Sequence, residues 1–189
     1  LTRAIRFKLS AGDLASGESK AVADGIREHY LPRFAGDSLP VSDVGAIVGL
    51  SDRLDTLAGS FAVGEVPTGA ADPFGLRRRA LAIIQIVVAR GWRLDVTKAV
   101  GEALATVSFA LKRPQADVED ELKRFLIARH ATLLQGEGIG ADILDAAVHS
   151  GTTVDFLDAA RRARALQGWK DYQEAIELYR AAKRIANIL

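Results

Sequence analysis

Apolar positions recur at helical spacing through most of the chain, and nowhere do they alternate long enough to make a strand. Ser16-Gly17-Glu18 opens a pattern that predicts a helix to about Tyr30, closed by Pro32. The loop Arg33–Pro40, RFAGDSLP, is rich in residues that turn chains. Ser42 or Asp43 then caps a long helix reaching about Phe61. Asp72-Pro73 reads as the next helix start, because a carboxylate can accept from free amides and proline suits the first helical position. That helix runs to Arg90 and ends at Gly91. Asp95 caps a further helix to about Leu111. Pro114 interrupts the pattern, which resumes from Gln115 to Leu134 and stops at the glycine-rich QGEGIG. Shorter helices are predicted at 141–149 and 153–168, and a last one from near Asp171. No repeat of fixed period is present. The expected architecture is all-α, in two helical units divided at Lys112-Arg113-Pro114.

Two faces of the helix from Asp43 carry opposite messages. Ile47, Leu50, Leu54, Leu57, Ala58 and Phe61 share one side and predict the core face. The other side carries Gly45, Gly49, Asp52, Thr56 and Gly59. Glycine costs roughly 1 kcal/mol against alanine within a helix. This side is therefore either a solvent face of poor helix formers or a second buried face approached closely by a helix or ligand, and the glycine cost favours the latter. Asp52 sits in the middle of that face. On the following helix Arg77 falls beside Ala80, Leu81, Ile84 and Val88, and a guanidinium turned coreward wants a carboxylate. The expectation is a structural polar cluster in which Arg77 or Arg78 pairs with Asp52 or Asp55.

Composition narrows the chemistry more than the function. The 189 residues contain no cysteine, which excludes disulfides, thiolate metal sites and cysteine nucleophiles. Lys and Arg number 25 against 24 Asp and Glu, so only a local basic surface could argue for nucleic acid. The longest apolar run, Leu81–Ala89, is broken by Gln85 and too short to span a bilayer. No charged-then-apolar leader opens the sequence. A cytoplasmic protein without a membrane partner is the expectation. With no methionine anywhere, the sequence is also expected to be a fragment of a longer chain.

The C-terminal part holds the candidate basic surface. On the last helix Tyr172, Ala175, Tyr179, Ala182 and Ala186 form the apolar stripe, while Arg180, Arg184 and Asn187 align beside it with Lys183 on the border. On the helix before it Phe156, Ala159, Ala163 and Leu166 face inward and Arg161 and Arg164 outward, with Arg162 on the flank near Trp169. Such arginines suit phosphate tracking, Arg and Asn suit unstacked base edges, and Trp169 could stack. Asp155, Asp158, Glu174 and Glu177 dilute the charge, so a merely solvated helix face fits the same residues.

Several motifs together resemble one family. SDRLDTL, PTGAADPFGLRRRAL, EHYLPRFAGDSLP, FLIARH…GEGIGADILDAAV and the closing AAKRIANIL are similar to segments of the beta subunit of the two-subunit, bacterial-type glycyl-tRNA synthetase. The resemblance implies an HD-like helical domain over 1–112 and a truncated anticodon-binding-type domain over 113–189. It implies a tRNA-binding role, positioning glycine tRNA for aminoacylation by an alpha subunit. It further implies that ATP and Mg are used through that alpha subunit, with no cofactor in this chain, no catalytic residue and no DNA partner. Arg162, Arg164, Arg180, Lys183, Arg184 and Asn187 become the candidate RNA contacts. Asp52, Asp55, Arg77 and Arg78 become structural residues of the HD-like part. SDRLDTL is also similar to the last motif of HD metal-dependent phosphohydrolases, but the chain has no His-Asp dipeptide to complete the metal set. A divergent hydrolase and a helical interaction module without RNA binding are the alternatives.

Overall fold

A computed structural model describes residues 17–149, 154–170 and 172–186. Among them are eight α-helices: α1 (Lys20–Glu28), α2 (Asp43–Val63), α3 (Leu76–Arg90), α4 (Val96–Thr106), α5 (Gln115–Gly136), α6 (Ala141–His149), α7 (Phe156–Trp169) and α8 (Gln173–Ala186). A 3₁₀ turn at Ser108–Ala110 follows α4. The described residues form no β-strand; an isolated bridge joins Thr68 and Ala71. The all-α expectation holds.

Capping chemistry explains most boundaries. Ser42 Oγ accepts from Gly45 N at 3.0 Å, Asp95 from Lys98 N at 3.0 Å, and Asp155 from Asp158 N at 3.1 Å, each satisfying an orphan amide of its helix. Gly91 takes φ +65° and ends α3, as its missing Cβ allows. The start of α3 departs from expectation. Pro73 precedes the helix rather than opening it, and the N-cap is Gly75 at φ +64°. Asp72 still serves the helix from outside, its carboxylate accepting from Leu76 N at 2.7 Å and Arg77 N at 3.0 Å.

The main core gathers Leu57, Phe61, Ile83, Ile84, Val87, Val100, Leu104, Leu122, Leu126 and Phe156 from α2, α3, α4, α5 and α7. Each such side chain contributes about 1.5–3 kcal/mol by leaving water. A second cluster joins Leu134 at the end of α5 to Ile143, Leu144 and Ala147 of α6 and Ala160 and Ala163 of α7, with Val88 of α3 packed against both clusters. Apolar contact is thus continuous across Pro114. The inward set on α7 is as expected: Phe156, Ala159 and Ala163 are buried and Leu166 packs on the second cluster.

On α2 the expected core face holds from Leu50 onward, with Leu50 and Leu54 half-buried against the core and Leu57, Ala58 and Phe61 within it, but Ile47 is 55% exposed. The small-residue face is buried only in its first half. A Cβ on Gly45 would lie 2.5 Å from Glu28 Cβ, and one on Gly49 would lie 2.7 Å from the His29 carbonyl oxygen. The close approach is made by the end of α1. A Cβ on Gly59 would meet nothing within 4 Å, and Asp52 is exposed.

Candidate nucleic-acid interface

The expected RNA-contact residues separate into engaged and outward-facing groups. Arg162 is half-buried, its Nη2 donates to the Ala147 carbonyl at 3.0 Å, and its Nε lies 3.3 Å from Asp158 Oδ2. It secures the C-terminal turn of α6, whose carbonyls lack helical partners. Arg164 makes a bidentate pair with Glu137, Nε to Oε2 at 2.9 Å and Nη2 to Oε1 at 2.8 Å, tying α7 to the end of α5. The Glu137 carboxylate holds the Arg164 guanidinium charged even beyond its usual range. Arg180 and Arg184 are exposed one helical turn apart on α8, and Arg161 is exposed on α7. Trp169 and Tyr172 are also exposed. Lys183 lies on α8, and Asn187 falls outside the described residues.

The aspartate–arginine expectation is corrected at the level of the pair. Asp52 is met by Arg79, with Nη1 3.3 Å from Oδ2, and both side chains are substantially exposed. Arg77 turns back instead, donating to the carbonyls of Gly69 at 2.7 Å and Ala71 at 3.4 Å. Two positions along a helix rotate a side chain by about 200°, which places Arg79 and Arg77 on opposite sides and exchanges these roles. Asp55 is exposed. Arg78 is exposed and has neither a hydrogen bond nor an ion pair among the described residues. Nor do three His, Asp or Glu side chains converge to hold a metal among the described residues, so the donor set of an HD hydrolase is not found there.

The buried arginine is the neighbour, Arg53, at 5% exposure. Its guanidinium donates to the carbonyls of His29 at 2.7 Å, Tyr30 at 2.9 Å, Leu31 at 2.9 Å, Pro32 at 3.3 Å and Gly49 at 2.7 Å. The first four follow the end of α1, where a cation also answers the helix dipole, and Gly49 lies one turn back on α2 itself. The same segment is held from three further directions. Arg33 grips Asp37 through Nε at 2.6 Å and Nη2 at 2.8 Å, which holds the Asp37 carboxyl well below the usual carboxylate range. Arg90 donates to the carbonyls of Pro40 and Val41 and to Asp43. Buried Glu28 accepts from the amides of Val41 at 3.1 Å and Ser42 at 2.7 Å, at the positive end of α2. Nothing in the helical periodicity signals this bracing, because most of its contacts pair a side chain with backbone atoms of the loop or a neighbouring helix.

The braced loop overhangs a trough. Phe34, 57% exposed at its crest, lines a cleft of about 180 Å³ with Arg78, Leu81, Gln85, Thr132 and Leu133. Gln85 and Leu133 continue into a second cleft of about 420 Å³, which Asp37 and the Glu137–Arg164 pair also line. His130 of α5 is 1% exposed and edge-on to Phe156, ring centroids 5.1 Å apart. Neither of its ring nitrogens has a hydrogen-bond partner among the described residues. Burial pushes its pKa down to about 4, with Glu137 raising and Arg164 lowering it less.

Comparison with known proteins supplies a frame for this geometry. The family model described as glycyl-tRNA synthetase beta subunit matches residues 13–149. The glycine–tRNA ligase beta subunit of Geobacter metallireducens is 43% identical over 176 residues, covering 93% of this chain and 25% of that protein. Those of Geobacter sulfurreducens and Aromatoleum aromaticum are 44% and 41% identical, with the same coverage. The chain spans about a quarter of the length of these curated relatives.

Proposed function

The chain belongs to the glycyl-tRNA synthetase beta subunit family, and on that premise we propose that it is the tRNA-holding part of such a subunit. In this reading it places glycine tRNA, in the cytoplasm, for aminoacylation by an alpha subunit. ATP and Mg are used by that alpha subunit, and no residue here acts on the reacting atoms. The observation that carries the reading is the identity of 43% over 93% of the chain with a subunit named for its tRNA ligase. The exposed arginines Arg161, Arg180 and Arg184 support it, since none meets an acidic partner among the described residues and such a guanidinium suits phosphate oxygens. Arg162 and Arg164 serve the reading indirectly, by fixing α7 against α5 and α6.

The test is glycylation of tRNA by the alpha subunit with the full-length parent of this chain. The same assay is run with Arg180 and Arg184 both changed to alanine. The expected result is a raised KM for tRNA while glycyl-adenylate formation persists. The salt dependence of tRNA binding should also become shallower, because fewer counterions are released. A parent that does not stimulate charging would overturn the reading.

A further inference from the structure

Three features of the trough under the braced loop are unspent. Phe34 is a large, 57% exposed ring, met by the Arg33 guanidinium 5.4 Å from its centroid, on a loop whose neighbours are fixed by Arg53, by the Arg33–Asp37 pair and by Arg90. A loop of this length without regular structure, fastened this firmly, is characteristic of a binding element rather than a connector. Gln85 is half-buried in the otherwise apolar face of α3 and opens on both clefts. Its amide has no hydrogen bond among the described residues and opens to solvent in the clefts, where it is available to a ligand. Arg78 has no acidic partner among the described residues and lies against Gly75, where a Cβ would stand 2.7 Å from Nη2. All three residues line the same cleft.

We infer that this cleft takes one unpaired nucleotide of the bound tRNA, with its base against Phe34, its edge at Gln85 and its phosphate at Arg78. The inference rests on the tRNA-binding reading and adds a second place of contact, remote in sequence from the arginines of α8. The chemistry selects this occupant. An aromatic face stacks any base, a carboxamide offers both a donor and an acceptor to a base edge, and a free guanidinium suits a phosphate. An A-form duplex would not enter, since its base edges sit in grooves too deep or too shallow for a concave cleft to read. An acidic peptide would use Arg78 but leave the exposed ring and the amide unexplained. The Arg33–Asp37 and Arg164–Glu137 pairs that border the trough are internally neutralised, which leaves Arg78 to set its charge.

The experiment uses the full-length beta subunit with its alpha subunit and unmodified glycine tRNA at fixed salt. Phe34→Ala should weaken tRNA binding about tenfold, as loss of one stacking partner does, and Phe34→Trp should restore it. Gln85→Leu, which keeps the volume and removes the amide, should also weaken binding. One unpaired base should be shielded from base-modifying reagents by the wild-type protein and become reactive with Phe34→Ala. Phe34 is exposed, and Gln85→Leu extends an apolar run, so both variants should melt with the wild type. If Phe34→Ala and Gln85→Leu bind as the wild type does, while the Arg180/Arg184 double variant binds less, the cleft assignment falls and the tRNA reading stands. If the wild type itself binds no tRNA, both fall.

Discussion

At the scale of single residues, the informative side chains are two buried polar ones, and they are buried for opposite reasons. Arg53 is fully employed, whereas His130 has no hydrogen-bond partner among the described residues and is held neutral by its apolar surroundings. That state ties stability to pH. The native pKa, about 4, lies below the ordinary value of 6.5, so between those values the unfolded chain binds a proton that the native chain refuses. The contribution is complete above about pH 6.5 and is lost as pH falls toward 4, at no more than about 1.4 kcal/mol per pH unit. His130→Leu should therefore flatten the stability profile across this window, and at pH 7 it should fold at least as firmly. Urea titrations at pH 4.5 and 7 check this; a variant that keeps the wild-type slope would assign the slope to other groups. Neither role was legible in the sequence. Arg53 sits one position from the aspartate that the motif singles out, and its acceptors are main-chain carbonyls that no side-chain pattern reports. His130 shares its face with Leu122, Leu126 and Leu134, but periodicity cannot tell a satisfied histidine from an orphaned one.

At the scale of elements, the helices were readable because their ends are chemically marked. Ser42, Asp95, Asp155 and Gly91 each stand where the capping rules place them. The exception is α3, where an Asp-Pro start was displaced because Asp72 reaches the first amides from outside the helix while Gly75 supplies the left-handed turn. The glycine face of α2 was readable as an anomaly but not as a contact. Three glycines of equal helical cost turn out to have different reasons, and substitution separates them. Gly49→Ala forces a methyl to 2.7 Å from the His29 carbonyl and 2.8 Å from Arg53 Nη1, and should cost about 1–3 kcal/mol. Gly59→Ala meets open space and should stabilise the protein by about 0.5–1 kcal/mol. Thermal melts of the two variants should move in opposite directions. Loss of stability in both would mean that Gly59 is also approached closely.

At the scale of the whole molecule, the question is whether the stretches on either side of Pro114 fold together. Sequence punctuation at Lys112-Arg113-Pro114 suggests a seam, while side-chain packing runs straight through it. Val118, Leu122 and Leu126 of α5 and Phe156 of α7 share one buried cluster with Leu57, Ile84 and Val100, and the Lys112 amide itself donates to the Ala62 carbonyl of α2 at 3.1 Å. A seam crossed by buried leucines cannot open without exposing them, so cooperativity across it is the physical expectation. The chain carries its own reporters, because its two tryptophans fall one on each side: Trp92 after α3 and Trp169 at the end of α7. In Trp169→Phe protein the fluorescence follows the first part, and in Trp92→Phe protein it follows the second. The two urea midpoints should coincide with each other and with the loss of helix. Leu122→Ala, which opens a cavity at the shared cluster, should lower both midpoints together and cost about 2–5 kcal/mol. Two separate midpoints, with only one of them moved by Leu122→Ala, would instead make Pro114 a true boundary. The basic face of α8 would then belong to a unit able to move against the braced loop and its cleft.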